Sequence, residues 1–163
     1  MEESILVLTT GGTIDKQYFD ALSAYQITDT VIARMLDIAR VTQPFSVEEI
    51  TRKDSLDLDE IDRAKLLKRI ETAREKRIVV THGTDTMTDT ARILSVVRSK
   101  TIVLVGALTP ARFAESDAAF NLGMAFATAQ IATRGVYITM NGHVFPANKV
   151  VKNRAQGAFV PIF

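Results

Sequence analysis

Three polar clusters hold the groups in this sequence best suited to chemistry. The first is Thr9-Thr10-Gly11-Gly12-Thr13-Ile14. Paired glycines let backbone N–H groups approach a ligand closely, and a structural turn or a generic anion nest explains the same residues equally well. The second is Thr81-His82-Gly83-Thr84-Asp85-Thr86-Met87, where hydroxyls, a carboxylate and the first amides of a helix converge. Any one of Thr84, Asp85 and Thr86 alone reads as a helix cap, but three polar groups exceed what capping needs. The third is Lys149 to Lys152, after Asn141-Gly142-His143; a lysine pair is ordinarily a solvated surface feature. The glycine loop lacks the spacing of phosphate-cradling or dinucleotide loops, which ranks a nucleotide binder last.

Short apolar runs position these clusters. Ile5-Leu6-Val7-Leu8, Ile78 to Thr81, Thr101 to Val105 and Val136 to Met140 are β-branched and nearly continuous, as strands covered on both faces should be, and Val47 to Ile50 is a weaker candidate. Helical spacing alternates with them. It predicts helices over 28–40 (with Thr28 or Asp29 as N-cap), 59–75, 86–98 and 116–133. The alternation predicts a three-layer α/β domain, with helices on both faces of an open, largely parallel, flavodoxin-like sheet. In such sheets ligands collect beyond the carboxyl ends of the strands, where the first two clusters lie. The last helix is apolar nearly all round, so burial on most sides is expected, either within its own domain or in a subunit interface.

Composition narrows the function classes. The 163 residues are 47% hydrophobic and 24% charged, an ordinary globular mixture. A net charge of +1 gives no electrostatic reason to expect nucleic acid or an anionic membrane as a partner. Cysteine is absent, excluding disulfides and thiol catalysis. The opening Met1-Glu2-Glu3-Ser4 has no basic stretch or cleavage site, and no apolar run is long enough to span a bilayer, so a cytoplasmic location is expected.

Taken together, Thr10-Gly11-Gly12-Thr13-Ile14 and His82-Gly83-Thr84-Asp85-Thr86-Met87 strongly resemble the threonine-dependent asparaginase/glutaminase family. Gly106-Ala107-Leu108-Thr109-Pro110 and Ser116-Asp117-Ala118-Ala119-Phe120-Asn121 look like further segments of that family, so the resemblance covers essentially the whole chain. It implies a single catalytic domain of the N-terminal type over residues 1–163, with the family's second domain absent. By resemblance Thr13 attacks the substrate carboxamide, and Thr84, Asp85 and Lys152 form a proton relay, with Lys149 as competitor for the lysine's place. Tyr18 is the first choice for the family's lid tyrosine and Tyr25 the second. Gly12 and Gly83 lie in the substrate-binding loops. Asp54 would take the substrate ammonium and Ser55 its carboxylate, with Arg52 or Lys53 as alternatives. The backbone N–H groups of Thr13 and Thr84 would hold the oxyanion.

The activity implied is conversion of L-asparagine to L-aspartate and ammonia through an acyl-Thr13 ester, with L-glutamine as alternative substrate and with no metal or organic cofactor. His82 is expected as a structural hydrogen-bonder and His143 as a turn residue. A homodimer or a dimer-based higher oligomer is expected to complete the pocket and cover the apolar tail Phe159 to Phe163. The rival readings are a non-catalytic amino-acid-binding relic, and an amidase acting on another amide or within an amidotransferase.

Overall fold

The fold follows from how four apolar strands, and a more polar fifth at one edge, are covered. A computed structural model describes residues 3–163; the expectation for the N-terminus falls partly on Met1 and Glu2, outside the described residues. Strands β1 (Ile5–Gly11), β4 (Phe45–Lys53), β5 (Arg77–Thr81), β6 (Thr101–Val105) and β7 (Gly135–Met140) are parallel. Strand β8 (His143–Pro146) adds antiparallel at the edge, giving the order β4-β1-β5-β6-β7-β8. The five parallel strands have the flavodoxin-like order that the alternation of elements predicts.

Side chains alternate across the sheet. Leu6, Leu8, Ile78, Val80, Ile102 and Leu104 pack under α2 (Glu60–Thr72) and α3 (Met87–Leu94), through Leu66, Ile70, Met87, Ala91 and Leu94. Ile5, Val7, Val79, Val103 and Val105 face α1 (Ile32–Ile38) and α4 (Ala118–Ile131), through Ile32, Leu36, Leu122, Ala125 and Phe126. Both faces are dry along the inner strands, which explains why β1, β5, β6 and β7 have almost no polar residues before their carboxyl ends, whereas the edge strand β4 is largely polar and buries only Ile50.

Element boundaries shift where tertiary contacts outweigh local signals. Helix α1 starts at Ile32, and neither Thr28 nor Asp29 caps it. The buried carboxylate of Asp15 instead accepts from Val31 N–H (3.0 Å) and from the Thr30 hydroxyl (3.1 Å). Helix α2 opens with a reciprocal Asp59–Asp62 capping box. The predicted 86–98 helix stops at Leu94. On α4, Leu122, Ala125, Phe126 and Ala129 are buried, yet Phe120 is 64% exposed and Ile131 is 85% exposed. Within this chain only one face of the helix is covered, which corrects the alternative of burial wholly within its own domain.

Three hairpins escape the periodicity argument because each has at least one strand that is four residues long and partly exposed; only β7 among their strands carries the apolar run seen in the sequence. They are β2–β3 (Lys16–Phe19, Ala24–Ile27), β7–β8, and β9–β10 (Val150–Asn153, Ala158–Pro161). Asn141-Gly142, with φ of 52° and 72°, makes the two-residue turn of β7–β8, a signal available in the sequence. Among the described residues no helix is long and apolar enough to cross a membrane.

Candidate active site

The loops leaving β1, β4, β5 and β6 meet beyond the carboxyl ends of the strands, beside the reversal of strand order between β1 and β5. Their glycines set how closely they approach. A Cβ at Gly12 would lie 2.5 Å from Gly83 N, and one at Gly83 would lie 2.7 Å from Ser55 Cβ. Gly12 also has φ of 84°, a conformation L side chains rarely adopt. Backbone therefore touches backbone at Gly12–Gly83, and the residues that follow, Thr13 and Thr84, begin from adjoining points of one crevice.

Behind Thr84 stands a charged pair. Lys152 Nζ donates to Thr84 Oγ1 at 2.8 Å and to Asp85 Oδ1 at 2.8 Å. Thr84 is 8% exposed, and the lysine side chain is mostly covered. Lys152 sits on β9, whose register sets it beside buried Phe159. Phe159 N–H donates to Asn141 Oδ1 at 2.8 Å, tying that hairpin to the β7–β8 turn. Lys149 lines a different groove, with His143, Val144 and Phe163.

Thr13 lines a cavity of about 310 Å³ with Lys16, Tyr25, Leu108, Thr109, Pro110 and Phe113. Tyr18 and Tyr25 are cross-strand partners on the β2–β3 hairpin, with ring centroids 5.1 Å apart. Both rings are exposed, but only Tyr25 lines this cavity and packs near Phe113, at 5.9 Å.

Asp54 forms an ion pair with Lys16 at 2.9 Å. Partial burial acts to raise its carboxyl, but hydrogen bonds from Lys16 and Leu56 N–H outweigh that and hold it below the ordinary carboxylate value. Lys53 and Arg52, the alternatives for the substrate carboxylate, are held by Asp62 (2.7 Å) and Glu49 (3.0 Å). Ser55 is 1% exposed and its Oγ accepts from Thr86 N–H, placing it beneath Gly83 rather than on the cavity wall. Sequence reasoning missed Lys16, whose signal was its place three residues after Thr13.

His82 is fully buried between the Gly83 carbonyl (2.6 Å) and Thr90 Oγ1 (2.7 Å). Burial lowers its pKa to about 4, with the charge of Arg63 acting in the same direction and the Gly83 carbonyl opposing. A neutral ring with both nitrogens occupied has no free lone pair to act as a base in the crevice.

Comparison with known proteins agrees with this fold. The family model described as asparaginase, N-terminal, matches residues 4–159. L-asparaginase 2 of Escherichia coli (strain K12) is 33% identical over 91% of this chain and 46% of its own length. The glutaminase-asparaginase of Acinetobacter glutaminasificans is 30% identical over 93% of this chain and 50% of its own. The thermostable L-asparaginase from Thermococcus kodakarensis superposes with a TM-score of 0.86 at 28% identity, covering 98% of this chain and 51% of that one. The chain spans about half the length of the relatives it matches. With the fold and the family match in agreement over residues 4–159, the chain belongs to the asparaginase N-terminal family.

Proposed function

We propose that this chain hydrolyses the side-chain amide of L-asparagine, giving L-aspartate and ammonia, with L-glutamine as the alternative substrate. The observation that carries the reading is Lys152 Nζ held at 2.8 Å from both Thr84 and Asp85, behind a crevice that Thr13 enters from the opposite loop. A threonine hydroxyl is a weak nucleophile until a neighbour takes its proton. Thr13 Oγ attacks the amide carbon as its proton passes to Thr84 Oγ1, the proton of Thr84 passes to Lys152 Nζ, and a proton of the Lys152 ammonium passes on to the Asp85 carboxylate. The oxyanion is held by the N–H groups of Thr13 and Thr84, each such donor being worth about 2.7–4 kcal/mol. Return of the proton to the leaving nitrogen breaks the C–N bond and frees ammonia. Water then hydrolyses the acyl-Thr13 ester by the same relay and restores the hydroxyl.

Lys16 on the cavity wall, and Asp54 paired with it at 2.9 Å, match the carboxylate and ammonium of an amino acid. Tyr25 roofs the site from the β2–β3 hairpin, with Tyr18 as its supporting partner. The uncovered face of α4 fits a second copy of this chain: no charged residue occurs from Ala118 to Thr133, and Phe120 and Ile131 flank the small Gly123 and Ala127. The relatives' names supply the amide substrate class, asparagine and glutamine.

A coupled ammonia assay on asparagine and glutamine side by side, with the natural sequence and Thr13→Ala, tests the reading. Ammonia from one of the two amides, abolished in Thr13→Ala, is expected. Full turnover by Thr13→Ala would remove the nucleophile from this account.

A further inference from the structure

We infer that Arg63, through Thr90 and His82, holds the Gly83–Thr84 peptide in the orientation that aims Thr84 N–H at the oxyanion, making these three residues positioning residues for the proposed reaction. The inference rests on that reading for its catalytic consequence and on hydrogen-bond geometry for its structural part.

Arg63 leaves α2 and makes three hydrogen bonds, all to neutral oxygens: Nε to Thr90 Oγ1 (3.0 Å), NH1 to the Leu58 carbonyl (2.8 Å) and NH2 to Thr86 Oγ1 (2.9 Å). A guanidinium donates and never accepts, so both threonine hydroxyls accept from Arg63 and keep their own protons for other partners. Thr86 Oγ1 donates to the Ser55 carbonyl at 2.8 Å. The Gly83 carbonyl can only accept, so the neutral His82 ring carries its proton on Nδ1 and donates to it at 2.6 Å. The bare Nε2 then accepts from Thr90 Oγ1 at 2.7 Å, and Arg63, bonded to the same oxygen, holds that hydroxyl against the ring and so supports this tautomer.

Gly83 is the reason such a tether matters. A side chain there would strike Ser55, so glycine is required by the close approach of the two loops. Glycine leaves the adjoining peptide free to turn over. The Gly83 carbonyl and the Thr84 N–H belong to one trans, planar unit and point in opposite directions. Pinning the carbonyl against His82 therefore directs the Thr84 N–H the other way, toward the crevice. A flipped peptide would present a carbonyl to the developing negative charge.

The protein has two histidines, which makes the tautomer directly readable by imidazole ¹⁵N NMR, with exposed His143 as internal reference. His82 is expected as the neutral Nδ1–H form in the natural sequence. Thr90→Val removes the donor to Nε2 while keeping the side chain's shape. It is expected to release the tautomer and lower kcat about 100-fold, the loss typical of one oxyanion donor, with KM within about twofold because ground-state contacts remain. Thr90→Ser restores both the tautomer and the rate, which a purely packing role for the methyl would not allow. An Nε2–H tautomer in the natural sequence overturns the inference, as does unchanged kcat in Thr90→Val. Should Thr90→Val not fold, Arg63→Lys decides the catalytic part, since one ammonium cannot serve both Thr90 and Thr86 in place; unchanged kcat there overturns it too. A chain that releases no ammonia from either amide yet shows the Nδ1–H tautomer would sink the proposed function and leave the tether standing.

Discussion

Lys152 is the side chain whose loss should separate chemistry from folding. Its ammonium touches Thr84 and Asp85, yet it lies on a surface hairpin outside the sheet. Lys152→Met keeps the aliphatic stem and removes the proton acceptor. We expect kcat for ammonia release to fall about 10²–10⁴-fold, the usual weight of general base catalysis, with an unaltered circular dichroism spectrum. His82 gives a second test, in stability. Its folded pKa is about 4 against 6.5 in the unfolded chain. Between those values the unfolded chain binds the extra proton, so stability is full above pH 6.5, falls as the pH drops toward 4 and levels off below. The loss amounts to about 3 kcal/mol. Urea unfolding at pH 7 and pH 4.5 should show a steep difference for the natural sequence and a smaller one for His82→Gln; equal differences would mean the ring is not buried neutral.

At the scale of elements, short hairpins and glycine contacts carry the site. The β2–β3 hairpin presents two tyrosines in register, but only Tyr25 lines the cavity with Thr13. Tyr25→Phe should therefore lower kcat/KM more than Tyr18→Phe, and steady-state kinetics on both variants would reveal a reversed order. The loop contact at Gly12 leaves no room for a methyl group and demands a positive φ. Gly12→Ala should cost about 1–3 kcal/mol in backbone strain, and should lower activity further by parting the Thr13 and Thr84 loops. A melting curve combined with an ammonia assay measures both effects.

For the whole molecule, the doubly covered sheet places four loops at one end and leaves an apolar helix face unpartnered on its flank. A second copy seated on α4 would bury Phe120 and Ile131. Light scattering is expected to report a mass above that of the 18.0 kDa chain. Phe120→Lys should return it to the monomer without unfolding, because that ring lies outside the core. A monomeric natural sequence at micromolar concentration would remove this partner.

The sequence by itself determined four of the five parallel strands, marked the fifth more weakly at Val47 to Ile50, and determined the four helices and the two loops that bear Thr13 and Thr84. Continuous apolar runs can be satisfied only by burial on both faces, and helical spacing only by one-sided packing, so both patterns are legible along the chain. It also marked Lys152, Asp54 and both tyrosines, through resemblance rather than through spacing. Only the tertiary structure decided which groups meet. Lys152 lies 68 residues from Thr84 along the chain, and the pairing of Lys16 with Asp54 and the bonds of Arg63 to Thr86 and Thr90 likewise join separate elements. Such contacts leave no local periodicity, because they depend on where short, exposed hairpins and long polar side chains come to rest after the core has formed.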